Sequence, residues 1–189
     1  GNQDDQGTKD GIHTAVSVSI LSGSAMILLG FLFGRPMLQW MGTPADVIDK
    51  ASLYLMIIFI GMPSNMAYNF GSAILRAMGD TKRPLYFLSA AGVLNVVLNL
   101  IFVIVLHMDV AGVALATILS ETLSAVLILN CLCRTDGPCH LNIRKLYIQK
   151  DQLIRMLRIG LPAGIQSGMF SFSNVLIQSA VNSFGSVAM

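Results

Sequence analysis

Asn95 and Asn99 stand four residues apart, and so do Thr117 and Glu121. On a helix each pair shares one face. Between the pairs lies a very short polar turn, His107-Met108-Asp109, so the helices that carry them must run antiparallel as neighbours. Counted back from that turn, Asn99 falls level with Thr117 and Asn95 with Glu121, about 10–20 Å in at 1.5 Å rise per residue. Amide and hydroxyl groups beside a carboxylate can hold a small cation or a polar substrate. The same two rungs can also act as interhelical glue, worth about 0.6 kcal/mol each. Glu121 is the only acid within any long apolar stretch. It exchanges protons if water reaches it, as a proton-coupled carrier needs, or stays protonated and hydrogen-bonded. Both readings stand.

The apolar stretches themselves decide the class of protein. Of 189 residues, 54% are hydrophobic and only 12% charged, with a mean hydropathy of +0.68. Ordinary soluble domains carry about 25% charged residues, so neither a soluble domain nor a disordered chain fits. Residues 11–34, 51–75, 84–108 and 159–189 contain no Asp, Glu, Lys or Arg, and 110–133 contains only Glu121. A bilayer-spanning helix needs about 20 apolar residues, so the sequence predicts an all-α, polytopic membrane bundle with about five spans. Polar groups at bilayer depth are candidates for function. Besides the four above they are Tyr54, Tyr68 and Asn69 in the second stretch and Gln166, Asn174, Gln178 and Asn182 in the fifth.

Along the chain, Gly1–Gly11 reads as a polar loop and Ile12–Phe33 as the first span, with a break at Gly34-Arg35-Pro36. The second span, about Ala51–Leu75, carries Pro63 at its middle, where a lost hydrogen bond should bend the helix and open space beside Tyr54 and Asn69. The turn 76–84 (RAMGDTKRP) leads to a third span near Leu85–His107, and the fourth is about Val110–Cys133. Residues 134–158 form a linker whose end, Asp151–Arg158, has the pattern of an interfacial amphipathic helix, and the fifth span starts near Ile159. Gly112, Ala116 and Ser120, and again Gly160, Gly164 and Gly168, make small-residue stripes suited to close helix packing. The organisation read from this is 1–133, a linker 134–158, and 159–189 as the start of a second lobe. The chain reads as a piece of a longer protein.

If every stretch crosses once, ten of the twelve Lys and Arg lie on one side (Lys9, Arg76, Lys82, Arg83 and six between 134 and 158), and only Arg35 and Lys50 on the other. Positive charge favours the cytoplasmic face, which places 76–83 and 134–158 inside the cell. Cys131, Cys133 and Cys139 sit at that same end, where a disulfide is not expected. With His140 they fit no zinc spacing, and they read as small apolar filler. There is no nucleophile–base pair, phosphate loop or aromatic–basic patch of the nucleic-acid kind, so the sequence points to no enzyme, no metal, no other cofactor and no nucleic-acid partner.

Four segments carry a family resemblance: YLMIIFIGMPSNMAYNFGSAILRAMGDTKRPL (54–85), VLNVVLN (93–99), VAGVALATILS (110–120) and IGLPAGIQ (159–166). They resemble the multidrug and toxic compound extrusion (MATE) family, in particular its DinF-like branch, from the end of its second helix to its seventh. The resemblance implies a twelve-helix, two-lobe transporter of the bacterial cell membrane. It also implies a polar network in the first lobe that binds the coupling ion, H+ or Na+, next to the substrate. By motif, Tyr54 and Asn69 fall on the family's helix 4, Asn95 and Asn99 on helix 5, and Thr117 on helix 6. The family usually has Asp where this chain has Asn99, and more often Gln where it has Glu121.

The function expected is secondary active efflux of cationic or amphipathic drugs in exchange for H+ or Na+. Its partners are the bilayer, small organic cations and the remaining helices of the same transporter. A lipid-linked oligosaccharide flippase is the alternative within the superfamily, but it should line its cavity with Lys or Arg, and these spans hold none. A membrane scaffold is the alternative outside it, and has no reason to place matched polar rungs at mid-membrane.

Overall fold

The computed structural model describes residues 2–40, 42, 46–135 and 140–183. The side chains of 2–4, 175 and 178–183 lie outside that description, and with them those of Gln178 and Asn182; Cys139 does too. Among the described residues five α-helices follow in order: α1 (Asn2–Trp40), α2 (Ile48–Ala77), α3 (Lys82–Asn99), α4 (Asp109–Arg134) and α5 (Lys150–Ser183). No strand occurs among the described residues. Four helical stretches are long and apolar enough to cross a membrane: Asp5–Trp40, Ile48–Ala77, Lys82–Val105 and Asp109–Arg134. The expected fifth, in α5, is long enough. Its apolar character is diluted by Gln166, Asn174 and a run of Gly and Ser, and it does not stand with the four.

The chain divides into two units, residues 1–148 and 149–189. The division falls inside the expected linker, so its residues up to 148 belong with the first four helices. The second unit consists of α5, one continuous helix that joins the expected amphipathic segment to the expected span. Its glycines Gly160, Gly164 and Gly168 face open space.

Within the first unit α2 packs between α1 and α4, and α3 lies against α4. Glycines set the α1–α2 contact. A Cβ on Gly23 would stand 2.4 Å from the Pro63 backbone, and one on Gly30 would stand 2.2 Å from the Phe59 ring. Pro63 leaves the carbonyl of Phe59 without its helix donor, yet α2 stays helical across it, with α1 pressed against that point.

Two breaks expected in α1 are absent. The first turns are helical because they are braced: Gln6 Nε2 donates to Asp10 Oδ1 (2.9 Å), and residues 141–147 pack on Asp10, His13 and Ser17. At the other end the helix runs on through Gly34-Arg35-Pro36, where Arg35 pairs with Asp49 at 3.0 Å. The α3–α4 turn also differs from a simple α-helix end. Leu100–Val105 is a π-helical turn, closed by Leu106 N–H to the Ile101 carbonyl (3.0 Å) and Met108 N–H to the Phe102 carbonyl (2.9 Å). His107 and Asp109 then take φ of +50° and +52°. Asp and His enter this left-handed region more readily than most side chains, and Lys50 Nζ holds the Asp109 carboxylate at 2.6 Å.

The core of large side chains is concentrated at the opposite end. Ile12, Val16, Leu75, Ile128, Leu132 and Leu141 form one buried cluster, while the buried positions farther along α2 and α4 are mostly Gly, Ala and Ser.

Candidate functional site

The polar residues of α2, α3 and α4 meet between the helices. Asn65 Nδ2 donates to Glu121 Oε1 at 3.0 Å, and Asn69 Nδ2 donates to Asn65 Oδ1 at 2.8 Å. On the far side of α4, Asn95 Nδ2 donates to Ser120 Oγ at 3.2 Å, and Asn99 Nδ2 donates to Asn95 Oδ1 at 2.9 Å. Asn99 Oδ1 is buried and accepts no hydrogen bond. Ser120 and Thr117 donate back to carbonyls of their own helix, those of Thr117 and Val113. A cavity of about 280 Å³ opens between α3 and α4, and Asn95, Thr117, Ser120, Glu121 and Ser124 line it.

The expected rungs are therefore corrected by one step. Asn95 meets Ser120 in place of Glu121, and Asn99 bonds Asn95 in place of Thr117. The π-helical turn packs an extra residue into the outer end of α3. This brings Asn95 closer to the turn than an ideal α-helix would. Glu121, freed of that partner, bonds Asn65 of α2. Neither Asn65 nor Ser120 stood out in the sequence as a partner. Asn65 is four residues before Asn69, the same spacing that marked Asn95 and Asn99, and that was the available signal.

Two expected site residues lie apart from this group. Tyr54 is 37% exposed, three turns of α2 from Asn65, and lines neither this cavity nor the next. Asn69 reaches the network only through Asn65, and it also lines a second cavity of about 330 Å³ with Tyr68, Ser72, Arg76 and Thr81. Tyr68 also donates to the carbonyl of Pro84, another lining residue, at 2.9 Å. Among the cysteines, Cys131 Sγ accepts from Arg83 Nη1 at 3.5 Å.

The sequence pattern of the family described as MatE matches residues 1–101. The chain belongs to the MatE family. It is 37% identical over 156 residues to the probable multidrug resistance protein YpnP of Bacillus subtilis (strain 168), a match over 82% of this chain and 35% of that protein. With the probable multidrug resistance protein YoeA of the same organism it shares 29% identity over 195 residues, 100% of this chain and 42% of the relative. The chain thus spans well under half the length of these MatE relatives. The fold agrees. An outward-facing multidrug resistance MATE transporter superposes with a TM-score of 0.85 at 24% identity, over 97% of this chain and 41% of that one.

Proposed function

We propose that this chain forms part of a secondary active exporter in the bacterial cell membrane. It moves cationic or amphipathic compounds outward in exchange for H+ or Na+, and acts without an enzymatic step. The observation that carries the reading is the cavity lined by Asn95, Thr117, Ser120 and Glu121, one helical turn from the buried, unbonded Asn99 Oδ1. A carboxylate among amide and hydroxyl groups at membrane depth can hold a hydrated cation or a protonated substrate. One carboxylate, Glu121, supplies the charge, and Asn65, itself held by Asn69, positions it. The cavity lining holds no Lys or Arg, which speaks against a flippase for pyrophosphate-linked cargo. The B. subtilis relatives named as probable multidrug resistance proteins support the same reading.

Full-length protein reconstituted in liposomes tests it. A fluorescent lipophilic cation should be moved when a pH or a Na+ gradient is imposed, and the gradient that works names the coupling ion. Equal dye movement with and without both gradients would sink the proposal.

The same reading puts residues 76–83 and 134–158 in the cytoplasm, following the ten-to-two charge asymmetry. Lys82 is exposed, so Lys82→Cys in a background cleared of native cysteines should resist an impermeant thiol reagent in intact cells and react after lysis. Labelling from outside intact cells reverses the topology.

A further inference from the structure

The stretch 140–148 returns from α4 and lies on the first turns of α1. Leu141 is buried in the core cluster, and its N–H donates to the Leu132 carbonyl at 3.2 Å. The next contacts converge on one side chain. Asn142 N–H donates to His13 Nε2 at 3.2 Å. The Tyr147 ring stacks on the His13 ring, with centroids 5.2 Å apart and planes 16° from parallel. The Tyr147 hydroxyl donates to Asp10, and Ser17 Oγ donates to the Tyr147 carbonyl at 3.3 Å.

His13 is 1% exposed, and its two ring nitrogens have fixed roles. Nδ1 lies 2.9 Å from the Lys9 carbonyl, which only accepts, so Nδ1 carries the proton. Nε2 receives the Asn142 N–H, so Nε2 is bare. That is the neutral ring in one tautomer. A second proton would sit on Nε2 and face the Asn142 N–H, donor against donor.

We propose that His13 is a proton-operated latch, which holds residues 140–148 against α1 while the ring is neutral and releases them when it is protonated. Several charged or titratable groups surround His13. Lys9 and Asp10 flank it on α1, and Asp10 is engaged by Tyr147. Arg144, Lys145 and His140 on the returning stretch are exposed. On the helices sharing the core, Tyr68 of α2 and Cys131 and Cys133 of α4 pack against the cluster, and Arg76 and Arg134 stand in the last turns of those two helices. The Tyr147 hydroxyl, pushed up to about 12 chiefly by its bond to Asp10, keeps its proton throughout the range in which imidazoles titrate. Since neutral His13 is the latched form, latching is complete at high pH and fails as pH falls. Release frees the stretch that leads directly into α5. The latch stands on contacts within residues 1–148 and does not depend on the transport reading.

Hydrogen exchange on the full chain in lipid nanodiscs, corrected for intrinsic rates, tests it between pH 7.5 and pH 5.5. Amides of 140–148 should lose protection by about tenfold for each pH unit below the transition. His13→Gln, whose amide oxygen can still accept from Asn142, should abolish the pH dependence, and His140→Gln should keep it. An unchanged transition in His13→Gln, or its disappearance in His140→Gln, overturns the proposal. Should His13→Gln fail to fold, NMR of the wild-type histidine rings decides. A His13 titration that coincides with the loss of protection supports the latch, and one at a different pH overturns it.

Discussion

On the proposed export reading, Glu121→Gln in the full-length protein should bring gradient-driven dye efflux down to the rate of protein-free vesicles, with insertion and folding unharmed. The reason lies in what Asn65 sees. Its Nδ2 donates to Glu121 Oε1 at 3.0 Å, and a glutamine presents a carbonyl oxygen of the same reach. The α2–α4 contact therefore survives while the carboxylate in the cavity lining is lost. Asn65→Ala and Asn95→Ala should be milder. Each removes one interhelical bond, about 0.6 kcal/mol, and leaves the carboxylate in place. Initial rates of dye efflux under a fixed gradient, normalised to protein incorporated in the liposomes, measure all three. Full transport by Glu121→Gln would reduce Glu121 to a structural hydrogen-bond acceptor and put the coupling group elsewhere in the transporter.

Gly23→Ala should destabilise the fold by about 3 kcal/mol, at the upper end of what overpacking normally costs. The added methyl would lie 2.4 Å from Pro63 Cα and 2.8 Å from its nitrogen. Those are backbone atoms, so no rotamer change relieves the clash, and α1 must move bodily off α2. Gly92→Ala is the matched control. Nothing lies within 4 Å of its Cβ position, and replacing a mid-helix glycine by alanine there should gain about 0.5–1 kcal/mol. Thermal unfolding in detergent, followed by the fraction remaining monodisperse, should move in opposite directions for the two. A Gly23→Ala protein as stable as the parent would mean that the two helices do not meet at these residues.

The apolar windows were enough to read α2, α3 and α4 from the sequence, because a span needs about 20 apolar residues, whereas α1 and α5 run well past theirs and α5 is not among the candidate spans. The ends of α2 and α4 fall within a few residues of expectation for that reason. What the windows could not report was tertiary bracing. Residues 2–11 look like a loop on composition, yet they continue the helix whose next turn is anchored from far along the chain, where Tyr147 bonds Asp10, Asn142 bonds His13 and Leu141 joins the cluster with Ile12. The site was half legible for a related reason. Spacing put Asn95 and Glu121 on inward faces, and both do line one cavity. Their pairing rested on an unbroken α-helical rise, and a π-helical turn does not announce itself in a run such as LIFVIV. Asn65, four residues before Asn69, carried the same spacing signal as Asn95 and Asn99, but a pair on one helix does not name its partner across the bundle.

The uneven placement of bulky core residues has a mechanical consequence. Six large side chains interlock at the Lys- and Arg-rich end, whereas farther along the bundle the buried positions are held by residues such as Gly61, Ala114 and Ala116. Interlocked branched side chains resist sliding, and flat glycine and alanine faces oppose it far less. The first four helices therefore behave as a set of rods clamped at one end. A small tilt at the clamp grows in proportion to the distance from it, so the strain of such a tilt falls on the far ends of α2 and α4, which the exposed Lys50–Asp109 ion pair ties together.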